Sequence, residues 1–208
     1  MLPLDTILAF VTAATLLALT PGPDNLFVLT QSALHGRMTG IFVTIGLCLG
    51  LIVHTSAVAF GVAVIFQTSM LAFTALKVLG AAYLLYLAFK AFRATPETLA
   101  AASGVKKPAW QMVARGIVMN VTNPKVAIFF LAFLPQFTDP ARGSIALQML
   151  MLGGLFMASA FVTFSLIAIL AGSLSRWLRA SPMGQVWLNR VAGLVFAGLA
   201  LKLATAHR

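Results

Sequence analysis

Asp24 and Lys125 carry the most conspicuous chemistry in this sequence. Each directly follows a proline, Pro23 or Pro124, and each lies in a long stretch otherwise almost free of charge. An isolated Asp or Lys at the centre of a bilayer costs about +2.5 to +3.5 kcal/mol, so such residues normally pair or line a watery pathway. The two are therefore expected within pairing distance, directly or through water, in at least one state. An acid and a base held this way can exchange each other for the charged groups of a solute. The competing reading is local, with Asp24 capping a half-helix that runs from Asn25 and Lys125 snorkelling to an interface.

The backbone around them supports a site. In "TPGPD", Thr20 to Asp24, Pro21 and Pro23 remove donors and clash with the preceding turn, while Gly22 permits the chain to turn. In "TNPK", Thr122 to Lys125, Asn123 is placed as a helix cap with Pro124 at the first helical position, where its missing N–H costs nothing. Both stretches thus predict broken helices. Their exposed N–H groups and positive dipole ends suit a carboxylate, and broken backbone at membrane depth is tolerated only beside protein or a cavity. Pro21, Gly22, Pro23 and Pro124 read as residues that shape such a site. The amides of Asn25, Asn120 and Asn123 are candidate contacts to a solute, with local capping an equal alternative for Asn120 and Asn123.

The elements that must position these residues are membrane helices. The chain has 208 residues, 61% hydrophobic and 9% charged, with a mean hydropathy of +1.00, a balance that a water-soluble domain could not cover with polar surface. Six apolar stretches are long enough to cross a bilayer: 4–34 (broken at the first motif), 41–66, 70–92, 113–137, 144–174 and 187–206. Their continuous apolarity lacks the alternation of a barrel strand. Small residues at Gly46 to Gly50 and at Gly153 and Gly154 would let helices approach closely, and they leave a homodimer open. Phe129, Phe130, Phe133 and Phe137 recur at near-helical spacing and read as packing.

A polar linker, 94–110, divides the chain into two sets of three spans, 1–93 and 111–208. The halves resemble each other. Pro124-Lys125 stands 101 positions (124 − 23) after Pro23-Asp24, and "KVLG" at Lys77 to Gly80 is echoed by "RVAG" at Arg190 to Gly193. An odd number of spans per copy inverts the second copy in the membrane. The expected fold is all-α, six transmembrane helices as an inverted 3+3 repeat with helices 1 and 4 broken at proline. Matching interrupted helices are the best sequence pointer to a transporter's binding site.

Charge fixes an expected orientation. Arg37, Lys90, Arg93, Lys106, Lys107, Arg115, Arg176 and Arg179 fall on one side, against Arg142 and Arg208 on the other, with Lys202 near the end of the last span. The positive-inside bias makes the first side cytoplasmic and places both termini outside. "MLPLDTI" has no basic region of a secretory signal. The net charge of +10 has no aromatic-interleaved basic patch, so no nucleic-acid partner is expected. The single Cys48 excludes an internal disulfide and reads as packing, and His35, His54 and His207 lack ligand spacing. No HExxH, GxSxG, P-loop or GxGxxG in its proper context is present, so neither enzymatic chemistry, metal nor cofactor is expected.

Four segments resemble the LysE/RhtB family of bacterial amino-acid exporters: "TPGPDNLFVLTQSALHGRMTG", "LKVLGAAYLLYLAFKAFR", "RGIVMNVTNPKVAIFFLAFLPQF" and "LNRVAGLVFAGLALKLA". They cover most of the chain in the right order, and the "NPK" block is the most specific. The resemblance implies export of amino acids or close derivatives across the bacterial inner membrane, driven by the proton gradient. His54 resembles the histidine found at this place in homoserine-type members, which favours homoserine, its lactone, threonine or another small neutral amino acid. An imidazole can also relay protons, while a histidine satisfied by a neighbouring carbonyl is an equal alternative. An amino acid would offer its ammonium to Asp24 and its carboxylate to Lys125. The competing functions are an inorganic-ion exporter and a membrane-embedded enzyme or lipid-handling protein.

Overall fold

The computed structural model describes residues 2–62, 70–95 and 107–205. All regular elements among them are helical. Helix α1 (Leu4–Leu19) is followed by α2 (Pro23–His35), and α3 (Arg37–Ala57) widens into a π turn, Val58–Val62. Helix α4 spans Met70–Arg93, α5 spans Ala109–Val121 and α6 spans Pro124–Ile128. The last of these runs on through a π turn (Phe129–Phe133) and a 3-10 turn (Leu134–Phe137). Helices α7 (Ile145–Ala180) and α8 (Pro182–Thr205) complete the order. Most of the expected linker, 96–106 with Lys106 and Ser103, lies outside the described residues, as do His207 and Arg208. Helix α5 starts at Ala109, after the cap residue Pro108, within the last residues of the expected linker.

The helices of α3, α4, α7 and α8 are each long and apolar enough to cross a membrane, and the pairs α1–α2 and α5–α6 pass the same test as bent units. Counting each pair once gives six, the expected number. The chain is a multi-pass, all-α membrane protein. Its outer surface agrees, because Leu71, Leu79, Phe89, Val162 and Leu201 are exposed and would be intolerable in water but suit lipid. Helix α7 overshoots its expected end at Leu174. Its 36 residues extend about 54 Å, well beyond a hydrocarbon core of about 30 Å.

Both bends fall at the predicted breaks, 59° between α1 and α2 and 51° between α5 and α6. At the junction of α2 with α3 a single glycine suffices. Gly36 has φ 89°, a left-handed conformation that L residues avoid, so one residue reverses the chain between two helices.

Helices α3 and α5 meet at backbone contact. A Cβ on Gly46 would sit 2.9 Å from Gly116 Cα and closer still to Val113 O. This bears out the small-residue reading for Gly46, and Gly50 likewise abuts Asn120, while Gly154 faces open space. The phenylalanines pack as expected: Phe129, Phe130 and Phe133 are fully buried, and Phe137 meets Phe10 edge-on with ring centroids 5.1 Å apart. Phe156 of α7 closes the cluster, 5.0 Å from Phe130.

Candidate functional site

The first break leaves the carbonyls at the end of α1 without helical partners. Thr20 donates its N–H and its hydroxyl to Leu16 O, at 3.0 and 2.7 Å. Pro21 has no N–H to continue the ladder, and Gly22 is fully extended, with φ −175°. Two side chains from beyond the break take the carbonyls of Leu17, Ala18 and Thr20. Asn25 Nδ2 reaches back to Ala18 O at 2.6 Å, and Lys125 Nζ donates to Thr20 O at 3.1 Å and Leu17 O at 3.4 Å. A cation at a helix C-terminus also complements the helix dipole. Lys125 therefore does not snorkel; only 6% of it is exposed.

The second break is organised by Asn123. Its Oδ1 accepts from Lys125 N–H at 3.0 Å, which is the cap expected from the sequence. Its Nδ2 donates to Asp24 Oδ2 at 2.9 Å, so one amide both starts α6 and grips α2. The competing local reading has Asp24 cap a half-helix from Asn25, and the structure corrects this. Helix α2 starts at Pro23 with Gly22 as cap residue, which leaves Asp24 inside the first turn and free to reach across to Asn123. Pro23 sets this register, because its fixed φ suits the first helical position.

No ion pair joins Asp24 to Lys125 among the described residues. In this state each charge is held by neutral groups, the ammonium by carbonyls and the carboxylate by an amide, and Asn123 links the two. Asp24 is buried, and its Oδ1 has no hydrogen-bond partner; the same holds for Oδ1 of Asn25 and of Asn120. Buried acceptors left open in this way call for an explanation beyond packing. His54 Nε2 meets Asn120 O at 3.1 Å, and its ring lies against Phe130, 5.8 Å between centroids. That is the carbonyl-satisfied arrangement foreseen as one of its two readings.

A cavity of about 490 Å³ opens between the breaks and helices α4 and α8. Pro21, Gly22, Pro23, Asn123, Pro124 and Lys125 form one wall. A Cβ on Gly22 would lie 3.1 Å from Lys125 Nζ, so the glycine leaves room for the ammonium at this wall. Asp24, Asn25, Asn120 and His54 do not line the cavity. The opposite wall was not anticipated from the sequence. Tyr83 and Lys90 of α4 and Gln185 and Asn189 of α8 line it. Their spacing, seven apart on one helix and four on the other, places each pair on one helical face, a signal available in the sequence but silent until the two helices are packed together.

Residues 15–207 match the family model described as LysE type translocator. The chain is 32% identical to the homoserine/homoserine lactone efflux protein of Salmonella typhimurium, covering 96% of each chain. It is 30% identical to the leucine efflux protein of an Enterobacter species, over 95% of this chain and 94% of that one. An uncharacterized membrane protein of Vibrio cholerae is 32% identical, over 96% of both. No solved structure matches.

Proposed function

The chain belongs to the LysE type translocator family, and from that premise we propose that it exports small neutral amino acids or close derivatives from the cytoplasm in exchange for protons. Members of this family are transporters, so the reading as a membrane-embedded enzyme or lipid-handling protein lapses. The names of two relatives, both amino-acid efflux proteins, favour amino acids over an inorganic ion.

The observation that carries the reading is the cavity, of a size suited to a small solute, with the Lys125 ammonium in the wall made by both helix breaks. A substrate carboxylate there competes with the carbonyls of Leu17 and Thr20 for Lys125. The substrate ammonium moves toward Asp24, whose open Oδ1 takes either that ammonium or a proton. Protonation of Asp24 weakens its hold on the ammonium, which couples proton entry to substrate exit.

On the same reading both termini lie outside in the bacterial inner membrane, and the cavity rim at Lys90 and Thr95 faces the cytoplasm, the side from which an exporter loads. The inverted repeat is supported by the packing: α3 lies on α5 as α1 lies on α7, and α4–α8 and α3–α7 form pairs that a two-fold axis would map onto themselves. Counterflow of labelled amino acids in proteoliposomes tests the function. Exchange of small neutral amino acids is expected; exchange of a divalent ion with no amino acid moving would defeat it.

A further inference from the structure

We infer that Tyr83 of α4 and Asn189 of α8 select substrates whose side chain ends in an uncharged hydrogen-bonding group, such as a hydroxyl. The inference rests on the proposed amino-acid export and adds the half of the cavity that reads the side chain. Both residues line the cavity on the wall facing the breaks, and both are half-buried there. Neither the Tyr83 hydroxyl nor the Asn189 amide makes a hydrogen bond within the described residues; the Tyr83 ring stands beside that of Tyr86, with centroids 6.0 Å apart.

The division of labour between the walls follows from their chemistry. The break wall carries the full charge of Lys125 and suits the backbone end that every amino acid shares. The far wall then meets the part that differs between substrates. Tyr83 and Asn189 supply neutral donors and acceptors, a hydroxyl and a carboxamide. Lys90, the cation of this wall, is exposed and lies over the Tyr86 ring, 5.6 Å from its centroid, so the half-buried part of the wall bears no charge to attract an acidic side chain.

An apolar side chain entering here would desolvate both groups and pair with neither, whereas a hydroxyl replaces the water they lose. A site built to hydrogen-bond its ligand rejects an analogue that lacks the group. Each such bond is worth about 0.5–1.5 kcal/mol, roughly two- to tenfold in preference.

The test is counterflow with two labelled probes, homoserine and leucine, in proteoliposomes of the full chain. The wild-type protein is expected to favour homoserine, and Tyr83→Phe with Asn189→Leu to reduce the homoserine-to-leucine ratio about tenfold or more. Asn189→Gln, which keeps the carboxamide, is expected to retain most of the preference, and a monodisperse size-exclusion profile checks that each variant is folded. An unchanged ratio in Tyr83→Phe/Asn189→Leu, or a wild-type protein that exchanges leucine as readily as homoserine, overturns the inference while leaving amino-acid export intact. Exchange of neither probe nor any other amino acid by the wild type brings down both readings.

Discussion

Asn123 Nδ2 donates to Asp24 Oδ2 at 2.9 Å, and this single bond ties the two helix breaks together across 99 positions of sequence. The same side chain caps α6 through its Oδ1. Because α2 and α6 each start where the chain has just turned, neither can shift without disturbing the other. The two breaks act as one joint.

Asn123→Ala removes both functions at once. Loss of a cap costs about 1 kcal/mol, and leaving the buried Asp24 carboxylate without its donor adds about 1–3 kcal/mol. The melting temperature of the purified protein in detergent is expected to fall by several degrees. Asn123→Asp keeps the cap oxygen but places a second carboxylate against Asp24, so it should be no better; a wild-type melting temperature for either variant would reduce the bond to an incidental contact.

Lys125→Met is expected to insert in the membrane and to lose export almost completely, since it removes the cation of the cavity wall and frees the carbonyls of Leu17 and Thr20. Gly22→Ala is a milder probe. Its added methyl would lie 3.1 Å from Lys125 Nζ, and the long side chain can yield by a few tenths of an ångström. Partial loss of efflux is expected for Gly22→Ala and a larger loss for Gly22→Val, measured as release of labelled substrate from preloaded vesicles. Full efflux by Lys125→Met would remove the ammonium from the mechanism.

The breaks were legible because proline and glycine act on the backbone locally: Pro21, Gly22, Pro23 and Pro124 stop helices whatever surrounds them. The cap by Asn123 was legible for the same reason, its partner being two residues away. What Lys125 binds was not, since the end of α1 lies more than a hundred positions earlier and only the fold brings it near. The same limit hid Gly116, which has meaning only against Gly46, and the wall of Tyr83 and Asn189, whose residues are unremarkable on their own helices. Asp24 was misplaced by two residues of helix register, enough to turn a cap into a cross-link.

Gly46 and Gly116 give the packing a direct test. A methyl on either would meet backbone of the other helix, which cannot move aside as a side chain can. Gly46→Val or Gly116→Val is expected to abolish accumulation of folded protein, seen as loss of the monodisperse peak in fluorescence-detected size exclusion. Gly154, with nothing within 4 Å of its would-be Cβ, provides the control, and Gly154→Ala should be neutral. Normal folding of Gly116→Val would mean that α3 and α5 do not approach so closely.

Single cysteines in a Cys48→Ala background test the orientation. Thr95→Cys, just beyond α4 at the cation-rich side, is expected to resist a membrane-impermeant maleimide in intact cells and to react in inverted vesicles. Ala141→Cys, exposed in the loop before α7, should do the reverse. Labelling of Thr95→Cys from outside would invert the topology and turn the cavity away from the cytoplasm.

The last prediction separates the proton from the substrate at Asp24. Its carboxylate is buried, holds one donor from Asn123 and leaves Oδ1 open, so it can take up a proton without first breaking its existing bond. Asp24→Asn keeps an oxygen of similar shape but cannot change charge between the two faces of the membrane. Such a protein should still exchange labelled substrate for unlabelled substrate, because exchange needs no net proton movement. It should fail to drive efflux when a pH gradient is imposed across the vesicle. The measurement is the ratio of gradient-driven efflux to counterflow, expected to fall at least tenfold in Asp24→Asn. A ratio equal to that of the wild type would leave Asp24 as a structural partner of Asn123 and move the proton-carrying step elsewhere, with His54, held to Asn120 O, the next group to replace.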